Sequence, residues 1–270
     1  MKKSRAWSIA FAAGAGTWIT TAAAMDPIPE TPGWRGFAVV GVGYTEVQTN
    51  LLAGNAVVEI GRETISSINQ SPRSDSATHP VFTGEINYTM PGRWQVFLGT
   101  SLEDALTLDG AGQFGVRKDA GTAGAFQAGF LFNSVTTKVW KDPYAEGVAR
   151  QDTDRDSTGA RLQWDRVLGS AFQLTLSYRD ISIDDEASGR GVRTVTCNTA
   201  CQGLLRRDGD QLTFDVSYLY RFGNRNLFRP QFRYRVDDRD GAAVSSDFYS
   251  LTLSHVLLGQ GYTLATNLLY

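Results

Sequence analysis

Gln211-Leu212-Thr213-Phe214-Asp215-Val216-Ser217-Tyr218-Leu219-Tyr220-Arg221-Phe222 decides the fold. In a β-strand successive side chains point to opposite faces. Leu212, Phe214, Val216, Tyr218, Tyr220 and Phe222 therefore share one face. Gln211, Thr213, Asp215, Ser217 and Arg221 share the other, and only Leu219 breaks the pattern. Gly223-Asn224-Arg225-Asn226 then turns the chain. Phe228, Pro230, Phe232, Tyr234 and Val236 follow in alternation with Arg229, Gln231, Arg233 and Arg235. Two alternating runs in phase across a compact turn predict a β-hairpin.

The same alternation recurs along the chain. Phe82, Ile86, Tyr88 and Met90 oppose Thr83, Glu85, Asn87 and Thr89. Leu162 and Trp164 oppose Arg161, Gln163 and Asp165, and Phe172, Leu174, Leu176 and Tyr178 oppose Gln173, Thr175, Ser177 and Arg179. Eleven strands are predicted, over 36–47, 80–90, 93–101, 112–118, 123–133, 158–167, 171–181, 210–222, 227–236, 247–256 and 262–270. Short turns at 91–93, 119–122, 168–170, 223–226 and 257–261 alternate with long polar segments at 48–79, 102–111, 141–157, 182–209 and 237–246. Strands of about ten residues with that short/long rhythm are the signature of an outer-membrane barrel. A soluble β-sandwich buries its apolar faces and has no need of so many aromatics on one side of consecutive strands. The expected fold is all-β: an antiparallel, up-and-down transmembrane β-barrel. Single-chain bacterial barrels have an even number of strands. The odd count is therefore read as a twelve-stranded parent with its last strand truncated. A miscount within 112–140 is the alternative, and the terminal aromatic Tyr270 favours it.

The N-terminus reads as an export signal. Lys2, Lys3 and Arg5 are followed by an apolar, small-residue run from Ala6 to Ile19, and Ala22-Ala23-Ala24 offers a small-x-small cleavage site. The expected division is a signal peptide over 1–24 and a barrel over 25–270. The run falls short of the ~20 residues that a spanning helix needs. No Cys follows the cleavage site, which disfavours a lipoprotein. Mean hydropathy is -0.23 and charged residues make up 20%, as suits a wall with one polar face. A net charge of -2 gives no basic excess for nucleic acid. The two cysteines, Cys197 and Cys201, predict a small disulfide loop in an exported protein.

Several strings resemble an uncharacterised family of proteobacterial outer-membrane proteins, a domain of unknown function. They are Gly43-Tyr44-Thr45 with Thr49-Asn50-Leu51-Leu52-Ala53-Gly54-Asn55, and Val139-Trp140-Lys141-Asp142-Pro143-Tyr144. Gly159-Ala160-Arg161-Leu162 with Trp164-Asp165 also match, as do Tyr178-Arg179-Asp180-Ile181, Asp184-Asp185-Glu186 and Ser188-Gly189. The resemblance implies location and architecture and carries over no catalytic residue.

An enzyme is not expected. The chain has two His, one (His79) read as lying in a loop beside Pro80 and the other (His255) in the apolar phase near a turn. Neither sits in a nucleophile-base pattern. No cofactor and no metal site is expected. Asp152-Thr153-Asp154-Arg155-Asp156-Ser157 resembles the start of a calcium loop. Ser157 stands where such loops want Gly and Gln163 where they want Glu, so the segment is read as a solvated acidic loop. The polar phase gathers Arg161, Arg179, Arg221, Arg229, Arg233 and Arg235 with Glu85, Asp165 and Asp215. Two function classes follow. In one, these residues line a narrow channel for small anionic solutes, since charges in a lumen set selectivity. In the other, they pair with one another, plug the barrel, and leave a structural or surface-interaction protein that acts through its loops. The expected partners are outer-membrane lipid, lipopolysaccharide and the barrel-assembly machinery.

Overall fold

The computed structural model describes residues 7–12, 28–100, 110–259 and 263–269. The predicted cleavage site at Ala22-Ala23-Ala24 and the terminal Tyr270 lie outside them. Among the described residues the chain is all-β, with one sheet of 15 strands in up-and-down, antiparallel order.

The strands are β1 (Trp7–Ala12), β2 (Gly33–Val47), β3 (Leu52–Asn55), β4 (Asp75–Met90), β5 (Trp94–Thr100), β6 (Ala111–Asp119), β7 (Ala125–Asn133) and β8 (Thr137–Trp140). They continue with β9 (Asp152–Asp165), β10 (Phe172–Ile183), β11 (Gly209–Tyr218), β12 (Tyr220–Phe222), β13 (Asn226–Arg239), β14 (Ser246–Leu258) and β15 (Thr263–Leu269). One short helix, α1 (Thr199–Leu204), interrupts the β10–β11 loop. Each of the eleven predicted strands is present. Pairing runs β2–β4–β5–β6–β7–β9–β10–β11–β13–β14–β15. β1, drawn from the segment read as the export signal, pairs antiparallel with both β2 and β15.

The four further strands have separate origins. β8 continues β7 along the same neighbour, β9, after a break at 134–136. β12 continues β11 in unbroken register against β13. Pro230 explains the gap between them, because it has no N–H to give the ladder opposite Tyr218. β3 is a short addition that pairs with β8. The 112–140 region therefore holds β6, β7 and β8, as two strand tracks with no third.

Burial is inverted relative to a soluble protein. On β4, Phe82 is 68% exposed while the neighbouring Thr83 is 2% exposed. On β9 and β10 the apolar Leu162, Phe172, Leu176 and Tyr178 are exposed, while Asp165, Ser177 and Arg179 are buried. The exposed face also carries Val96, Leu98, Phe114, Phe130, Leu212, Phe214, Phe232, Leu251 and Leu253. Glycines let the polar face curve. A Cβ on Gly115 would lie 2.1 Å from the Ala128 carbonyl oxygen, so no larger residue fits that register position.

Several strands climb further at the long-loop end than the alternation predicted. There the polarity of the two faces changes over. On β10 the exposed side becomes Asp180 and Ser182, while Ile181 and Ile183 are buried. On β9 the residues read as a solvated loop, Asp152 to Ser157, are an extended strand paired with β8 and β10. A strand cannot wrap its side chains around one ion, so the calcium-loop resemblance is discarded. His79 is likewise no loop residue. It is buried within β4, with Nε2 3.0 Å from the Thr45 hydroxyl.

Candidate functional site

The buried polar face is tied by hydrogen bonds that run across strands. On β4–β7 the centre is Arg117. It meets Glu85 through two bonds of 2.6 Å, Nη1 to Oε1 and Nη2 to Oε2. Its Nε donates to Gln127 Oε1 at 2.7 Å, and Nη1 also donates to Gln95 Oε1 at 3.2 Å. The guanidinium lies 3.8 Å from the centroid of Phe97, a buried ring on the same face. A forked guanidinium matched to a carboxylate fixes geometry as well as charge. Sequence reading placed Glu85 here but not Arg117, although position 117 holds the polar phase of β6.

A second cluster lies on β10–β13. Asp215 accepts from Arg233 Nε at 2.6 Å and from Gln231 Nε2 at 3.0 Å. Arg229 donates to Ser217 Oγ and Gln173 Oε1, both at 3.1 Å. Arg161 Nε donates to Ser177 Oγ at 3.1 Å. Asp237 joins Arg235 at 3.2 Å and Arg239 at 2.9 Å. Arg179 is buried at 4% exposure and Asp165 at 1%. Arg221 stands apart, exposed on β12 beside the 223–225 turn. The structure thus groups most of the predicted residues on one face. It spends Arg233 and Arg235 on adjacent carboxylates rather than aligning them as a bare cationic row.

The long-loop end holds a feature that alternation did not reveal. The β2–β4 loop, the β8–β9 loop and the β10–β11 loop meet there, and four charged side chains tie them: Arg150, Glu146, Asp142 and Arg207. Arg150 is 6% exposed and donates only to backbone carbonyls: Asn50 and Pro143 at 2.9 Å, Glu63 from Nε at 3.4 Å, and Arg62. It also lies 4.6 Å over the Trp140 ring. Burial pushes its pKa down to about 10. Glu146 accepts from the Thr194 hydroxyl and from the N–H groups of Ile68, Arg193 and Thr194. The Thr194 hydroxyl, then the Ile68 N–H, hold its carboxyl down at about 2. Asp142 accepts from the N–H groups of Tyr144, Gly189 and Gly191 at 3.0, 3.0 and 2.6 Å. Arg207 clasps Glu186 through Nε and Nη2 and donates to the Trp140 carbonyl at 2.8 Å.

Cys197 and Cys201 form the predicted disulfide in the same assembly, tying the segment before α1 to Cys201 within it. Asn198 caps that helix by accepting from the Cys201 N–H at 3.0 Å. The β13–β14 loop joins the assembly through Gly241 N to Arg206 O and Ala243 N to Leu204 O.

The model of the family described as "Protein of unknown function (DUF2860)" matches residues 33–270. The chain belongs to the DUF2860 family. The matched range takes in β2 to β15 and every loop of that long-loop assembly, here called the knot, so the DUF2860 domain is the sheet apart from β1 together with the knot. No curated protein and no solved structure matches the chain. The strings that carried the resemblance, Val139 to Tyr144 and Asp184 to Gly189, contain Trp140, Asp142 and Glu186 of the knot. They were the available signal for it.

Proposed function

We propose that this DUF2860 chain is an outer-membrane β-barrel with a filled interior, exported by its N-terminal signal and working at the cell surface through its interlocked loops. The observation that carries the reading is the inverted burial: an exposed apolar face over a buried, hydrogen-bonded polar one. Aromatic residues band that apolar face at both ends. Trp34 with Tyr88, Phe126 with Trp164, and Phe172 with Tyr218 lie towards the short turns, at centroid separations of 5.1, 5.4 and 4.9 Å. Tyr178, Tyr234 and Tyr249 lie towards the long loops. The Tyr178 hydroxyl donates to Asp210 at 2.6 Å. From Leu212 to Phe222 the apolar face runs about 34 Å along the strand at ~3.4 Å per residue. At a tilt of about 40°, that gives ~26 Å of height, the size of the apolar band of an outer-membrane barrel.

A filled interior is supported by the low exposure of the polar face, since a water-filled lumen would leave such groups wet. A second reading, a narrow channel for small anions, rests on Arg233 and Arg235. Their side chains keep 27% and 35% of their exposure on that face. Membrane reconstitution separates the readings. The protein recovered from outer membranes should show a heat-modifiable band, and in planar bilayers no current above the empty bilayer. Recovery in the soluble periplasm would refute the barrel. A steady anion-selective conductance, weakened by Arg233→Glu with Arg235→Glu, would refute the filled interior.

A further inference from the structure

On the apolar face, two register rows form a groove of about 490 Å³. The row nearer the short turns is Trp94, Lys118, Phe126 and Trp164. The next is Val116, Ala128 and Leu162, with Leu176 and Phe214 beyond. Ala128 makes the floor, because a methyl group stands where its neighbours carry branched or aromatic side chains.

Lys118 carries the one charge of these rows. Among the described residues it is the one Lys, Arg, Asp or Glu that the apolar face holds there, in the row of the turn-end aromatics Phe126 and Trp164. A lysine in that setting is costly unless its ammonium reaches a polar partner. Its Nζ donates to the Gly92 carbonyl and lies 5.1 Å over the Trp94 ring. An ammonium has three donors, so two remain for a ligand.

We propose that the groove is a site for one anionic glycerophospholipid, with its phosphate on Lys118 and an acyl chain along Ala128 between Phe126 and Leu162. The inference rests on the membrane-barrel reading. The occupant is chosen by complementarity: an apolar trough some two residue rows long, a single cation at its turn end, and amphipathic Trp rings at the depth of headgroups. A detached phosphate would meet only one exposed lysine and use none of the trough.

The full chain is reconstituted in vesicles of phosphatidylcholine containing either phosphatidylglycerol or phosphatidylcholine with brominated acyl chains. Quenching specific to Trp94 and Trp164 is obtained by subtracting that of a Trp94→Phe/Trp164→Phe variant. The anionic lipid should bind about fivefold more tightly than the zwitterionic one, the effect of one cation near a headgroup. That preference should vanish in Lys118→Gln and survive in Arg225→Gln, a turn-end cation away from the groove. Ala128→Leu, which fills the floor and keeps the lysine, should weaken quenching at these two rings by both lipids. Equal quenching by the two lipids in the unaltered protein overturns the site and leaves the barrel standing. Quenching by neither overturns the barrel and the site together.

Discussion

Arg150→Met should open the loop assembly while leaving the sheet intact. The guanidinium sends strong bonds to three carbonyls, those of Asn50, Pro143 and Arg62, on two different loops. A hydrogen bond from a charged donor contributes about 1.5 kcal/mol or more, and the contact with Trp140 adds about 0.5–1 kcal/mol. Methionine fills much of the volume and offers no donor, so the carbonyls are left buried without partners. The expected cost is about 5 kcal/mol, the sum of these contributions. It falls on local opening of the loops, not on the sheet, because none of these bonds reaches a polar-face cluster. A cost of that size raises the open fraction by roughly three to four powers of ten, at about 1.4 kcal/mol for each. Native-state hydrogen exchange in detergent micelles reads it at the Gly147 and Arg150 amides, which bond to Ile65 and Glu63 across the loop boundary. Protection changed by less than tenfold would refute the claim that Arg150 holds the loops together. Equal loss of protection in β10 and β11 would refute the separation of loops from sheet.

The knot should also loosen in acid. The Glu146 carboxyl is held at about 2, against an ordinary 4.5. A depressed carboxyl contributes stability that is complete above 4.5 and is lost as pH falls towards 2. Pepsin cleavage within 184–208 should therefore rise across that window, and Glu146→Gln should raise it already at pH 5. Arg233→Met should lower the urea midpoint of the folded, heat-modifiable band, because it strands Asp215 on the buried face; the cost is about 3–5 kcal/mol. Adding Asp215→Leu should recover most of that loss. Cys197→Ser with Cys201→Ser releases a very short ring worth about 2 kcal/mol by chain entropy. It should speed proteolysis near α1 without moving that midpoint.

The strands were legible in the sequence because alternation is a local signal. Leu212 to Phe222 states its own two faces, and the register to β13 follows from the turn. Arg117 was missed for a related reason. Its strand is short, and its partner Glu85 lies two strands away in the sheet. The knot was illegible because its bonds join positions such as Arg150 to Asn50 and Glu146 to Thr194, which no periodicity connects. Its donors and acceptors are largely backbone groups, which every residue carries. The segment from Asp152 to Ser157 misled for a different reason. Above the apolar band a strand no longer needs apolar residues outward, so polar composition there imitates a loop.

The inverted burial has a consequence for the chain before it folds. No described helix is long and apolar enough to cross a membrane, because the apolar residues are spread one in two along the strands. Read linearly, the strands are hydrophilic on average, and an export machine handling a barrel of the proposed kind would meet no stop-transfer helix among the described residues. Only pairing gathers the scattered side chains into a continuous greasy surface. In an outer-membrane barrel of the kind proposed, membrane affinity is thus carried in a latent form, which the act of folding releases.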